Sequence, residues 1–185
     1  MIAPLFSTLN NPLTDAPELT FLAEPTEAIL IDLLKRWQSW PKADGLPGRE
    51  QFEPADIPHL LPHIALVEYD RHGNVYRDYD ALFRYIGTRL GDDFQMSQHT
   101  RRHMSDFGAQ VAQRWFPVYD RLRSTRAPFA VQGVPYLLDK SYLRFEVLYL
   151  PLARGDATDP AQQQTTSTEV GFALFAAHFT PNLEG

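Results

Sequence analysis

Residues 129–152 read FAVQGVPYLLDKSYLRFEVLYLPL. Two runs rich in β-branched and aromatic residues, Phe129 to Leu137 and Tyr142 to Leu152, bracket a turn at 138–141, and this pattern predicts an antiparallel hairpin. Gly133 and Pro135 predict a bulge or an edge position in its first strand. C-terminal to the hairpin, the apolar run from Val170 to Phe179 predicts a closing strand. On the other side, His63 to Tyr69 and Val75 to Ile86 predict a second hairpin, turned at Asp70, Arg71, His72, Gly73 and Asn74.

Helices fill the remaining periodic segments. Thr26 and Glu27 supply a helix start, and Leu30, Leu33, Leu34 and Trp37 follow at i, i+3, i+4, i+7 before Pro41 stops the helix. Thr88 predicts the start of a brief helix through Leu90 to Phe94. From Phe107 to Arg123, Val111, Trp115, Val118, Tyr119 and Leu122 keep a 3.6 period, with a kink or break expected at Pro117. The order helix, two strands, short helices, long helix, three strands predicts an α+β fold. It implies a five-stranded antiparallel sheet with helices packed on one face. Strands and helices do not alternate, which argues against a doubly wound nucleotide fold. Residues 1–24, broken by Pro4, Pro12 and Pro17, predict an irregular arm before a single domain over 25–180. Small polar residues over 153–168 predict a mobile insertion.

Composition narrows the chemistry. The 185 residues are 44% hydrophobic and 22% charged, and a chain of that size and balance suits one globular domain. With no cysteine, disulfides, thiolate metal sites, cysteine nucleophiles and cysteine–flavin adducts are impossible. The longest clean apolar run, Val170 to Ala177, is far short of a membrane-spanning helix. The first 20 residues have no secretory pattern, so a cytoplasmic location and no membrane partner are expected. A net charge of −6 argues against general nucleic-acid binding. Six arginines between Arg101 and Arg126, against Asp106 and Asp120 alone, form either a solvated helix face or an anion patch.

Catalytic and metal motifs are weak. His59 and His63 have helical ligand spacing but enclose Pro62, and His99 and His103 enclose Arg101 and Arg102, which repel a cation. Haem ligation by His99, His103 or His178 needs only one accessible imidazole and stays open. No nucleophile elbow or phosphate loop occurs. Asp92 and Asp93 are adjacent, so their carboxylates point apart.

Four strings resemble an alphaproteobacterial PAS-like family formerly classed as a domain of unknown function. They are Pro54 to Glu68 with Asp56, Ile57, Leu61 and Pro62; Phe83 to Thr88; Tyr119 to Pro128; and Glu146 to Leu152. The resemblance spans about residues 26–180. It departs at a long hairpin carrying Arg77, Asp78, Tyr79 and Asp80, and at the 153–168 insertion. It implies a sensory or interaction module with a pocket between sheet and helices. Such modules hold haem, flavin, organic acids, fatty acids or nothing, so the cofactor is unknown. The candidate pocket residues are Phe83, Tyr85, Trp115, Tyr119, Tyr142, Arg144, Glu146 and Phe175. Arg144 and Glu146 share one strand face, with Arg84 near it, pointing either inward to a ligand or outward to solvent. Ile29, Ile31 and Trp40 widen the apolar face of the first helix, which is therefore the expected homodimer or signalling-partner surface. A small α+β isomerase or hydrolase using the same pocket is the alternative, and a cavity-free scaffold is a third.

Overall fold

The computed structural model describes residues 18–71, 78–96, 101–135, 142–154 and 169–182. Among these residues the strands and α-helices are, in order, β1 (Thr20–Leu22), α1 (Ala28–Ser39), β2 (Ile64–Asp70), β3 (Asp80–Ile86), α2 (Thr88–Asp93), α3 (Ala109–Thr125), β4 (Phe129–Gly133), β5 (Leu143–Ala153) and β6 (Val170–Pro181). The strands form one antiparallel sheet in the order β1-β4-β5-β6-β2-β3. The α+β class and the five expected strands are present. A sixth, β1, comes from the stretch read as an irregular arm and pairs Phe21 with Val131. Three residues are too few to show a period-2 pattern, so sequence could not reveal it.

Helices cover both faces of the sheet rather than one. α2 and α3 pack over Val67, Phe83, Val131, Val147, Tyr149 and Phe175. α1 packs Leu30, Leu33 and Trp37 against Leu66, Leu148, Leu150, Leu152 and Leu174 on the opposite face. The physical reason lies in β5 and β6, whose central residues are apolar on both sides and need two covers. The Trp37 indole N–H donates to the Pro151 carbonyl at 3.0 Å, fastening α1 to β5. The apolar stripe of α1 is thus used within the chain, and Ile29, Ile31 and Trp40 are half-buried.

Two irregularities shape the sheet. Leu66 faces Tyr85 while Val67 faces Phe83, so Arg84 is an extra residue in β3. No shift occurs between β4 and β5, where a bulge was expected, and β4 is not an edge because β1 lies outside it. Gly133 instead leaves room for a ring: a Cβ there would sit 2.8 Å from Cζ of Phe145. Pro117 lies inside an unbroken α3. The segments expected as the turns of the two hairpins and as the polar insertion fall largely outside the described residues, although Ala153 itself is buried in β5.

Gly87 sets the entry to α2. Its N–H donates to Ile64 O at 2.8 Å, and a Cβ there would lie 2.1 Å from the Leu61 carbonyl oxygen. Gly87→Ala must push α2 off the turn at Leu61–His63, at a cost of about 1–3 kcal/mol. A lower urea midpoint with an unchanged slope is the expected readout.

Candidate functional site

Between α2, α3 and the sheet lies a cavity of about 40 Å³. Phe83, Val147, Tyr149 and Phe175 supply the sheet side, and Leu90, Val111, Trp115 and Tyr119 the helical side. Ile86, Phe94, Met96 and Met104 complete the lining. The deep residues are buried, whereas Ile86, Phe94, Met96, Val111 and Trp115 are half-buried and form a rim. Aromatic edges brace that rim: Phe94 meets Trp115 at 6.3 Å and Phe179 at 5.0 Å between ring centres. No lining residue carries a charge.

The tyrosines divide into two kinds. Tyr69 donates its hydroxyl to the Tyr119 carbonyl at 2.9 Å, and Tyr79 donates to Asp120 Oδ1 at 2.6 Å. Tyr119 and Tyr149 are 1% and 2% exposed, and their hydroxyls have no hydrogen-bond partner among the described residues. Burial pushes both phenols well above their ordinary value, for Tyr149 with help from Tyr119 and Tyr69, so both remain neutral O–H donors.

The candidate residues separate accordingly. Phe83, Trp115, Tyr119 and Phe175 meet at the cavity. Tyr85 does not: the extra residue at Arg84 turns it to the α1 face, where its hydroxyl donates to Leu61 O at 3.1 Å. Tyr142 precedes β5 and is 63% exposed. Arg144 and Glu146 also lie on the α1 side, in an open cleft of about 350 Å³ with Glu27, Gln132, His178 and Thr180. Val147 and Tyr149 escaped the sequence reading. Their signal was alternation with Phe145 along one face of β5.

Glu146 is 4% exposed and seats the start of α1. Its carboxylate accepts from the Thr26 amide at 2.6 Å, the Thr26 hydroxyl at 2.5 Å, the Glu27 amide at 3.4 Å and Gln132 Nε2 at 2.8 Å. Burial raises the carboxyl pKa, but these donors outweigh it and hold the group below its ordinary value. Arg84 is elsewhere, paired with Glu68, which also holds Arg154.

Other polar groups are paired away from the cavity. His59, His103 and His178 meet Asp32, Asp70 and Glu27, while Asp93 meets Arg89. Among the described residues, no group of three His, Asp or Glu side chains is placed to hold a metal ion. His99 lies outside them.

A family model described as a PAS domain matches residues 26–165. The chain belongs to that family. No curated protein and no solved structure matches it. The match starts beside α1 and ends before β6, the strand that joins the two halves of this PAS domain's sheet. Strands β2 to β6, with α2 and α3 over the cavity, are consistent with the PAS fold. The family places the chain among sensory and interaction modules, which are typically non-catalytic. Among the described residues no helix is long and apolar enough to cross a membrane.

Tyr69→Phe removes a buried bond and should cost about 1 kcal/mol, whereas Tyr119→Phe and Tyr149→Phe remove none and should leave thermal stability unchanged. Glu146→Gln should cost about 1–3 kcal/mol at neutral pH. Because the folded-state pKa is depressed, that deficit is fully present above the ordinary value of 4.5. It closes as pH falls through the folded value, where wild type protonates too. Paired urea titrations from pH 7 downward measure it.

Proposed function

We propose that this PAS domain is a non-catalytic sensor in which a small molecule seated at the cavity changes the docking of α1, and that α1 passes the change to a second chain. One observation carries the reading. Along β5, Val147 and Tyr149 line the cavity, while their neighbours Glu146, Leu148 and Leu150 hold α1 on the other face. A displacement of this strand on its cavity side therefore moves the seat of α1. Close packing favours such transfer, because interior side chains cannot shift independently. The second chain is either another copy, giving a homodimer, or a separate signalling protein.

The lining favours sensing over an isomerase or hydrolase. Acid–base or nucleophilic chemistry needs a carboxylate, imidazole or activated hydroxyl facing the substrate. The cavity offers only two high-pKa phenols.

Native mass spectrometry of the purified chain should reveal a non-covalent small molecule that is released on unfolding. Stripping it should change hydrogen exchange across residues 26–39. Glu146→Gln should keep the bound molecule but weaken that exchange response. A chain with nothing bound, or exchange changes confined to α2 and α3, would count against the proposal.

A further inference from the structure

We infer that the cavity selects a neutral, compact, largely apolar molecule that presents a hydrogen-bond acceptor, such as a ketone oxygen or a ring nitrogen, to Tyr119 and Tyr149. This inference rests on the sensory reading above and specifies its ligand.

Three observations converge. First, no lining residue is charged. A carboxylate or phosphate entering there would shed its hydration without meeting a cation, a desolvation that costs far more than apolar contact returns. Organic acids, fatty acids and nucleotide phosphates are therefore disfavoured, and no histidine lines the space to ligate a haem iron.

Second, the hydroxyls of the two tyrosines that line this cavity make no hydrogen bond to a described residue, whereas those of Tyr69, Tyr79 and Tyr85, which lie beyond it, are bonded. Tyrosines seated this deeply almost always pair their hydroxyls, so two that instead line the cavity mark a place for an external group. Their rings meet edge to face at 5.9 Å between centres, close enough for one ligand to reach both side chains. Burial keeps both phenols protonated, so each O–H proton needs an acceptor, which a ligand oxygen or nitrogen can supply.

Third, about 40 Å³ holds only the polar end of such a molecule. The remainder must displace the rim, where Met96, Phe94 and Trp115 are only half-buried. An unbranched methionine can re-pack at small cost. Compactness follows from that limited space.

The test titrates the full chain with cyclopentanone, methylcyclopentane and cyclopentanecarboxylate, following the methyl resonances of Leu90, Val111 and Val147. Cyclopentanone should bind roughly fivefold tighter than methylcyclopentane, the affinity of about one neutral hydrogen bond, and the carboxylate should not bind. In the Tyr119→Phe/Tyr149→Phe double variant that advantage should vanish while methylcyclopentane still binds. Each single variant repeats the comparison should the double fold poorly. Equal binding of the carboxylate, or an advantage that survives in the variants, overturns the inference. If none of the probes binds a chain that nevertheless purifies with a small molecule, the ligand chemistry falls and the sensory reading stands. No probe binding and no retained molecule overturn both.

Discussion

From Phe145 to Ala153 every residue of β5 is buried, so this strand must be covered on both sides and can carry a charge only where other groups satisfy it. That constraint organises the molecule. It requires α1 on one face and α2 with α3 on the other. It also explains why Glu146, the one carboxylate in the run, meets backbone amides at a helix start, where the peptide dipoles already favour negative charge. Without those donors a dehydrated carboxylate in the sheet would be strongly destabilising.

The two faces of β5 differ in kind. Phe145, Val147 and Tyr149 give a rigid, aromatic side that meets other rings, among them Trp115, Phe129 and Phe175. Leu148, Leu150 and Leu152 give an aliphatic side that fits the leucines of α1. Flat rings at fixed angles leave gaps that branched aliphatic chains fill, and the cavity lies on the aromatic side. The cavity and α1 are thus separated by one strand's thickness.

Much of this was legible in the chain. Strand order along the sequence and the long helix follow from periodicity, and four of the aromatic residues named on those elements, Phe83, Trp115, Tyr119 and Phe175, line the cavity. The errors have physical causes. A single extra residue at Arg84 reverses the side on which Tyr85 emerges, and nothing local in Phe83-Arg84-Tyr85-Ile86 announces it. Placing the helices on one face ignored a visible signal: Val147 to Leu152 has no charged residue and no alternation of polar with apolar, the mark of a strand with two dry sides. Glu146 could be recognised as a buried or paired group, but its partner, the amides of Thr26 and Glu27, lies 120 and 119 residues away in the chain and needs the fold to be found.

The margins of the sheet are finished differently. Along β3, Phe83 exchanges backbone bonds with Arg101 and Arg102, at 2.7 and 3.0 Å, so that margin already has a partner. Along β4 the corresponding cover is only β1, three residues long, with Phe21 38% exposed and the Arg121 guanidinium resting on its ring. Any lengthening of the sheet by a foreign strand is therefore directional: one flank is closed, and the other is guarded by a short ribbon whose departure would bare the amides and carbonyls of Ala130 to Gln132.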